Sequence, residues 1–468
     1  HKGESIAQLL EECLVEWGIE KVLTITVDNA SANDSGLRDL VHRISGWGIP
    51  NALLHDGKYL HMRCVAHILN LVVNDGIKLL NTAIQSIRNA VRYVRSSPQR
   101  LESFKRCVEK VRIESKGLVI LDVPTRWNST FLMLESALKF KMAFDRLKVD
   151  DGHYLPYFVK DNHDNMREGP PSMDDWSEAG IFAIFLRPFY EVTLKVCCSN
   201  TPTVHTTFGD LFKIKSLLHE NKDDELLSMI SKLMQEKYDK YWGSLKDMNQ
   251  YLFIALVLDP RHKLEKVVDY FEIQFGEDEE KVESATNGVK DLLIDLYKIH
   301  ENMSLSTQQS ISGGGSSQTT SGDSSSSMTE IERKLKEKSE MRKAKRARVV
   351  HNDVDKYLSD PNEGEEEENF DVLNWWRVNG VSKYPILARV AREILAIPVS
   401  TIASESSFST SGRIIDPYRS SLSPKMVEAL ICTQNWLRSI HVALHHEPTI
   451  EEMEFCEEVE KCNFIYCI

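Results

Sequence analysis

One short run near the start constrains the fold more than any other feature: KVLTITVDNA at residues 21–30. Apolar or β-branched side chains alternate from Val22 to Val27, which predicts a strand that ends at Asp28. A helical pattern over residues 6–14 precedes it, so the chain opens as an α/β unit. Sheets of this class place chemistry at the carboxyl ends of their strands, which makes Asp28 a candidate site residue. The alternative is that Asp28 only caps a turn or the helix that follows.

The size and composition of the chain indicate a folded, reduced protein of several domains. Its 468 residues are 42% hydrophobic, and the longest apolar stretch, near residues 181–198, is broken by charges and Pro188, so no membrane span is expected. Nine scattered cysteines without a Cys-x-x-Cys pair are typical of an intracellular protein and predict no zinc finger within these residues. The opening HKGES has no secretory apolar region, and the absent initial methionine indicates a fragment or a truncated gene product.

Basic residues concentrate in one part of an otherwise acidic chain. The net charge of −13 argues against a uniformly basic nucleic-acid coat, but binding depends on local patches. Residues 84–94 carry an apolar helical stripe, with Arg88, Arg92 and Arg95 on the opposite face. Residues 88–116 hold nine Lys or Arg against three Glu, a local charge of +6. These arginines are candidates for phosphate contact, although a solvated helix face would have the same pattern.

An arginine–tryptophan pair lies at a boundary between two elements in residues 118–145. The pattern predicts a loop and then an apolar helix, with Ser129 or Thr130 as its N-cap. This places Arg126 and Trp127 between elements. Trp127 could anchor the core, or it could stack on an unpaired base with Arg126 beside it for a phosphate.

The second half of the chain reads as helical, interrupted by low-complexity sequence. Residues 176–300 have helical periodicity and many aromatic side chains. Residues 303–328 are mostly Ser, Gly, Thr and Gln, which predicts a flexible linker. Residues 333–348 hold a basic run ending in KAKRAR, which is either a solvated helix or a nuclear-import or DNA-contact segment. Residues 371–440 then predict a last folded unit with paired tryptophans and apolar helices.

Five motifs occur in a fixed order over nearly the whole chain. They are TITVDNASAND at 24–34, RCVAHILNLVV at 63–73, PTRWNST at 124–130, LVLDPRHK at 256–263, and a block from NWWRVNGVSK to TQNWL at 374–437. Each motif alone is weak. Together they resemble the hAT superfamily of DNA transposases, and most closely its domesticated plant Ricesleeper and Daysleeper group.

The resemblance implies an α/β fold: a ribonuclease-H-like core, incomplete at its N-terminus, that is interrupted by a large all-α insertion. A C-terminal helical dimerisation segment would follow. The implied division is 1–145 for the first part of the core, 146–302 for the insertion, 303–350 for a disordered linker with the basic run, 351–440 for the dimerisation region and last core helix, and 441–468 for a tail.

The resemblance also implies a metal site of three acidic residues. Asp28 matches the second aspartate of the family and Glu405 its glutamate, so both become candidate catalytic residues and metal ligands. Carboxylates suit Mg²⁺ or Mn²⁺, and two such ions can activate water for phosphodiester cleavage. The first aspartate and the zinc finger that precedes the core have no match in this sequence, and we expect the missing ligand to cost most of the activity. Magnesium or manganese is therefore expected only if catalysis is retained.

Other residues carry family roles by their match to the motifs. Cys64 and His67 match a Cys-x-x-His helix whose histidine contacts DNA phosphate, and a three-residue spacing would place both on one helical face. Arg126 and Trp127 match a pair associated with a flipped base. The dimerisation block offers an apolar and aromatic anchor set: Trp375, Trp376, Leu387, Val390, Ile394, Leu395 and Trp436.

Three functions are consistent with this sequence. The first is a domesticated nuclear protein that binds DNA and self-associates through its C-terminal hAT region without transposing. The second is the C-terminal part of an active transposase, since Asp28 and Glu405 are both present. The third is a dimerising interaction protein with no nucleic-acid role, which would leave the basic residues unexplained. No membrane and no small-molecule substrate are expected.

Overall fold

The structure is a computed structural model that describes most of the chain. The described residues are 2–115, 117–159, 167–198, 201–220, 224–276, 278–312, 352–364, 370–402, 404–405 and 422–441. They divide into two compact units. Unit 1 takes its described residues from His1–Thr203, Gly209–Asn249 and Pro398–Ile468, and unit 2 from Val204–Phe208 and Gln250–Ile397.

Helices dominate the described part of the chain. Those of the first half are α1 (Lys2–Glu16), α2 (Ser31–Ser45), α3 (Val65–Leu79), α4 (Asn81–Arg95), α5 (Pro98–Lys110), α6 (Trp127–Lys139), α7 (Lys141–Asp150), α8 (Pro156–Val159), α9 (Met173–Val196), α10 (Val204–Glu220) and α11 (Glu225–Trp242). Those of the second half are α12 (Tyr251–Val257), α13 (Lys263–Phe275), α14 (Glu279–Ser312), α15 (Asp353–Ser359), α16 (Val372–Trp375), α17 (Val381–Lys383), α18 (Pro385–Leu395) and α19 (Pro424–His441). A π-helical turn, Trp376–Gly380, joins α16 to α17.

Unit 1 contains a small parallel sheet. Strand β1 (Ile25–Val27) pairs with β2 (His61–Arg63), and Thr26 lies opposite Met62. Helix α2 connects the two strands, as a crossover between parallel strands requires. The predicted strand from Val22 to Val27 is therefore too long: Val22 makes only an isolated bridge to Leu53, because the partner strand is three residues long.

The sheet packs on the apolar faces of helices α1 and α2. Ile25 and Val27 contact a buried cluster that includes Ala7 of α1 and Leu40 of α2. Gly36 lets these two helices approach, because a Cβ there would lie 2.9 Å from Ile6 Cγ2. Elsewhere in unit 1, α3 packs on α11, α4 on α9 and α5 on α7. Residues 61–95 thus form strand β2 followed by helices α3 and α4.

Unit 2 is built around a helix that is hydrophobic on every side. All seven residues of α12, YLFIALV, are buried, as expected when no face can meet water. Helices α13, α14 and α18 pack against it.

Helix α14 corrects the predicted linker, because it continues to Ser312, so the first ten residues expected in the linker, 303–312, are helical. Ser304 supports this extension: its hydroxyl donates to the His300 carbonyl at 2.8 Å and accepts a hydrogen bond from Arg389 Nη1 at 2.5 Å. The remaining linker, the basic run 333–348 and the tail lie outside the described residues. Among the helices that are described, none combines the length and hydropathy needed to cross a membrane.

Candidate metal centre and nucleic-acid interface

Three segments that are far apart in sequence meet at the carboxyl end of β1. The Cys64 amide donates to the Val27 carbonyl at 2.9 Å, which joins the end of β1 to the start of α3. The Val65 amide donates to the Val399 carbonyl at 2.9 Å, and the Thr26 hydroxyl donates to the Pro398 carbonyl at 2.5 Å. The segment that leads to Glu405 is thereby hydrogen-bonded to the strand that leads to Asp28.

Glu405 is linked to this junction through Thr401. The Thr401 amide donates to Cys64 Sγ at 3.3 Å, and the Thr401 hydroxyl donates to Glu405 Oε1 at 2.8 Å. The Thr401 hydroxyl also lies 3.3 Å from Cys64 Sγ, so Cys64 and Glu405 share Thr401 as a hydrogen-bond partner. The thiol and the hydroxyl thus form a short chain of hydrogen bonds that ends on the Glu405 carboxylate.

Asp28 is already engaged with the beginning of α2. Its Oδ1 accepts hydrogen bonds from the Ala30 amide at 2.9 Å and from Asn33 Nδ2 at 2.6 Å. This is the turn-capping role that local sequence allowed for an aspartate at this position.

The described residues do not by themselves fit a two-metal centre. Among them, no group of three or more His, Cys, Asp and Glu side chains could hold a metal ion. The assignment of Asp28 and Glu405 as metal ligands therefore stays a prediction.

The Cys64 and His67 pair is arranged differently from the prediction. Cys64 has extended backbone, with φ −61° and ψ 111°, and is the N-cap of α3, while half-buried His67 lies inside the helix. Cys64 therefore precedes the helix, whereas the spacing predicted that both residues lie on it, and a shared face stays a prediction. A second thiol, Cys197, lies near Cys64: burial, then the neighbouring Cys64, raise the pKa of Cys197 to about 12 against the opposing Ser400 hydrogen bond. The Cys197 thiol is therefore neutral near physiological pH.

Arg88 is not available to a phosphate, and this part of the prediction is wrong. Its guanidinium binds Asp122 with Nε at 2.9 Å and Nη2 at 2.6 Å. The two side chains are only 5% and 0% exposed, and the Thr130 hydroxyl donates to the same carboxylate at 2.9 Å. Buried charges are retained in proteins when they are paired in this way, so Arg88 is structural.

The other arginines of α4 stay on the surface. Arg92 and Arg95 are exposed, as are Lys105 and Arg106 of α5, and within the described chain none of these four has a carboxylate within ion-pair distance. Lys110 of α5, in contrast, is paired with Asp150 at 2.7 Å. We call the first four residues the basic surface. Unpaired exposed cations on adjoining helices are suited to contact with nucleic-acid phosphates.

Trp127 is a core residue, which rules out the predicted base stacking in this conformation. Helix α6 begins at Trp127 itself, with Arg126 as N-cap, so the predicted caps Ser129 and Thr130 lie inside the helix. The Trp127 ring is 2% exposed and meets Tyr190 edge-on at 6.5 Å between centroids. Arg126 stays half-exposed, and its proposed phosphate contact remains a prediction.

The predicted dimerisation anchors are internal to unit 2. Trp376 Nε1 donates to the Leu258 carbonyl at 2.8 Å, and Trp375 Nε1 donates to Glu363 Oε1 at 3.0 Å. Both rings pack around buried Tyr357, and the apolar residues of α18 point into the same core. The buried set comprises Trp375, Trp376, Leu387, Val390, Ile394 and Leu395. The prediction that these six residues contact a partner is wrong, because neighbouring segments of the same chain cover them. The side chain of Trp436 lies outside the described residues.

The LVLDPRHK motif is a structural junction of unit 2. Arg261 binds the buried Asp259 carboxylate with Nε at 3.0 Å and Nη2 at 2.7 Å. Burial alone would raise the pKa of Asp259, but the guanidinium outweighs it and holds the pKa below its ordinary value. Lys263 donates from Nζ to the carbonyls of Asp360 and Pro361, so the motif fixes the segment that follows α15.

One cavity near Asp28 involves residues that sequence reasoning did not select. It measures about 330 Å³ and is lined by Asn29, Ser31, Asp34, Arg63, Lys240, Tyr241 and Asp247. Asn29, Ser31, Asp34 and Arg63 lie within motifs, which was an available signal. Lys240 and Tyr241 had no signal, since nothing in the sequence of α11 places its end beside β2.

Three family models match successive parts of the chain. The ZBED1 RNase-like helical domain matches residues 62–182, the hAT-like transposase RNase-H fold matches 205–300, and the hAT family C-terminal dimerisation region matches 353–437. These ranges contain every motif quoted above except the first, and they follow the same order.

Curated plant proteins resemble the chain over almost all of its length. It is 32% identical to the putative AC transposase of Zea mays over 98% of this chain and 54% of that protein. It is 32% identical to zinc finger BED domain-containing protein RICESLEEPER 2 of Oryza sativa subsp. japonica, over 94% of this chain and 59% of that protein. The match to DAYSLEEPER of Arabidopsis thaliana is 31%, over 93% and 57%. The chain thus spans little more than half the length of these relatives, and it belongs to the hAT transposase family.

Proposed function

We propose that this chain acts as a transposase-derived nuclear protein that binds DNA and dimerises through its C-terminal hAT region, without transposition activity. The basic surface is the observation that carries the DNA-binding part, since four exposed cations without an acidic partner in the described chain lie on α4 and α5. The names of the relatives support it, because several are zinc finger BED domain-containing proteins. The match to the hAT family C-terminal dimerisation region supports self-association.

The absence of transposition rests on the carboxylates. Asp28 matches a metal-ligand position of the family, and its Oδ1 is already occupied by hydrogen bonds from the turn before α2. Nuclear localisation rests on the basic run 333–348 in the sequence.

DNA binding is tested by fluorescence anisotropy with a labelled duplex of about 30 base pairs over a salt series. We expect tight binding at low salt that weakens steeply as salt rises, because each phosphate contact contributes about 0.9 to the log–log slope. Replacing Arg92→Gln and Arg95→Gln together should lower the slope by about 2. The matched control removes two other exposed cations, Lys232→Gln and Lys246→Gln, and should leave the slope unchanged.

A chain with no DNA affinity at low salt would contradict this part of the proposal. Equal effects of the two double variants would contradict the assignment to α4 and would indicate binding by net charge alone.

A second function, metal-dependent DNA strand cleavage as in an active hAT transposase, is favoured by one observation. The segments of Asp28 and Glu405 are hydrogen-bonded to a common junction despite their separation in sequence. It predicts cleavage of transposon-end DNA with Mg²⁺ or Mn²⁺ by the product of the complete gene. Glu405→Gln should abolish that cleavage and leave DNA affinity intact, whereas cleavage that persists in the variant would exclude Glu405 from the chemistry.

A further inference from the structure

A continuous helical run inside the dimerisation region has one closed side and one open side. It consists of α16, the π turn Trp376–Gly380 and α17. Its closed side is formed by Val372, Trp375, Trp376 and Gly380, all of which are buried. The closed side fixes how the run is oriented, since the Trp376 indole is hydrogen-bonded to the Leu258 carbonyl and Gly380 lies against its ring.

The open side of the run carries apolar side chains that have no cover. Leu373, Val378 and Val381 are 42%, 59% and 56% exposed. Leu373 and Val381 are eight residues apart, with Arg377 midway, so these three positions form one line along the run, and Val378 lies beside it. We call Leu373, Val378 and Val381 the outer stripe. Arg377 is held to the surface by its hydrogen bond from Nη2 to Asn374 Oδ1 at 2.8 Å.

We propose that the outer stripe is the surface through which this chain contacts a second copy of itself, which deepens the self-association in the proposed function and rests on it. The occupant follows from the family match, because residues 353–437 correspond to a dimerisation region. The two described tryptophans of that region, Trp375 and Trp376, are used inside unit 2. The outer stripe is what the folded run leaves available for an apolar contact.

A two-fold symmetric contact fits this surface. In such a dimer the same patch meets itself, so residues near the axis face their own symmetry mates. An axis at Arg377 would oppose two guanidinium groups, whereas an axis at Val378 and Val381 pairs apolar side chains and leaves Arg377 at the rim. Interfaces with an apolar centre and a polar rim are the usual arrangement. The π turn contributes by placing Val378 beside the line of Leu373 and Val381, and π turns are common at functional positions.

Within the described chain, two further exposed apolar residues fall in the matched region, Met426 and Leu430 on α19. They lie in unit 1 and form a separate candidate surface. The experiment is designed to separate the two surfaces.

Sedimentation equilibrium of the full chain over a concentration series measures the dimer dissociation constant. We expect the wild type to dimerise and Leu373→Lys with Val381→Lys to weaken the dimer roughly tenfold or more, since charges placed within an apolar contact must be desolvated. A matched control, Met142→Lys with Val149→Lys, places two lysines at exposed apolar positions of α7 and should leave dimerisation unchanged. The melting temperature and circular dichroism should match the wild type in both variants, because all four side chains are exposed.

Each other outcome has a definite meaning. A wild type that stays monomeric at every concentration overturns both the inference and the self-association in the proposed function. A dimer that survives Leu373→Lys with Val381→Lys overturns the inference alone. A dimer lost only in Met426→Lys with Leu430→Lys also overturns it, and assigns the contact to α19. DNA binding, measured separately by anisotropy, keeps the other half of the proposed function independent of these results.

Discussion

Helix α4 and the run from α16 to α17 each carry residues that could contact a partner. In both regions the fold buries some of these residues and leaves others exposed, but it does so by different interactions. On α4 of unit 1, Arg88 is buried in an ion pair with Asp122, which lies 34 residues further along the chain, while Arg92 stays exposed. On the run of α16 to α17 in unit 2, aromatic packing covers Trp376, while Val378 stays exposed. Both elements therefore have a structural side and an open side. The loss of either charged group should destabilise the protein at the buried ion pair, whereas the aromatic packing should be destabilised by a change in side-chain shape.

The largest effect on stability is expected at the buried ion pair of Arg88 and Asp122. Arg88→Ala should lower the free energy of unfolding by about 3–5 kcal/mol, because it leaves Asp122 charged and uncompensated in the interior. Chemical denaturation followed by circular dichroism measures it. The control Arg92→Ala, on the same helix but exposed, should change stability by no more than about 0.5 kcal/mol.

Removing both charges sharpens the same comparison. Arg88→Met combined with Asp122→Leu should recover much of the lost stability, because the penalty comes from the unpaired carboxylate and not from the missing contact. Equal unfolding energies for Arg88→Ala and Arg92→Ala would show that Arg88 is as accessible as its neighbours, and would restore it to the basic surface.

A smaller effect on stability, caused by steric overlap, is expected where Gly380 packs against Trp376. A Cβ added at Gly380 would lie 2.3 Å from Trp376 Cε3, and that ring is held by Tyr357 and by its indole hydrogen bond. Gly380→Ala should therefore destabilise unit 2 by about 1–3 kcal/mol in thermal or urea unfolding. Gly288→Ala on α14 is the matched control, since nothing lies within 4 Å of its added Cβ, and it should stabilise by about 0.4–1 kcal/mol. If both substitutions stabilise, the closed side of the run is looser than its contacts indicate.

The sequence predicts which residue types are present on each element, but not which side another segment will cover. Strand β1, the helices and the motif order follow from local periodicity and from the family resemblance. The burial of Arg88 depends on a loop that returns to α4, and no local pattern encodes that return. Trp375 and Trp376 have the composition of interface anchors, but buried aromatic cores have it too. The junction of Asp28 and Glu405 was accessible only through the resemblance, because hundreds of residues separate the two segments and periodicity carries no information over that distance.

The smallest effect on stability is expected at the edge of unit 2, at the pair of His300 and Glu393, because Glu393 is about half exposed. Buried His300 on α14 contacts Glu393 of α18 at 3.0 Å through Nε2. Burial lowers the pKa of His300 and the nearby Arg389 opposes protonation, but hydrogen bonds to Glu393 and to the Leu296 carbonyl outweigh both, so the pKa is raised.

A raised pKa fixes the direction of the pH dependence. The protonated pair contributes stability that is complete below the unfolded-state pKa of about 6.5 and is lost as pH rises through the higher folded-state pKa. Because Glu393 is about half exposed, the contribution should stay below about 1 kcal/mol. Urea midpoints measured from about pH 5.5 to about pH 8.5, roughly one unit below and two units above the unfolded-state pKa, should fall less steeply with pH in His300→Gln than in the wild type. His219→Gln, an exposed histidine on α10, should keep the wild-type slope. If His300→Gln also keeps that slope, the imidazole is neutral throughout, and the edge of unit 2 is held by packing as its centre is.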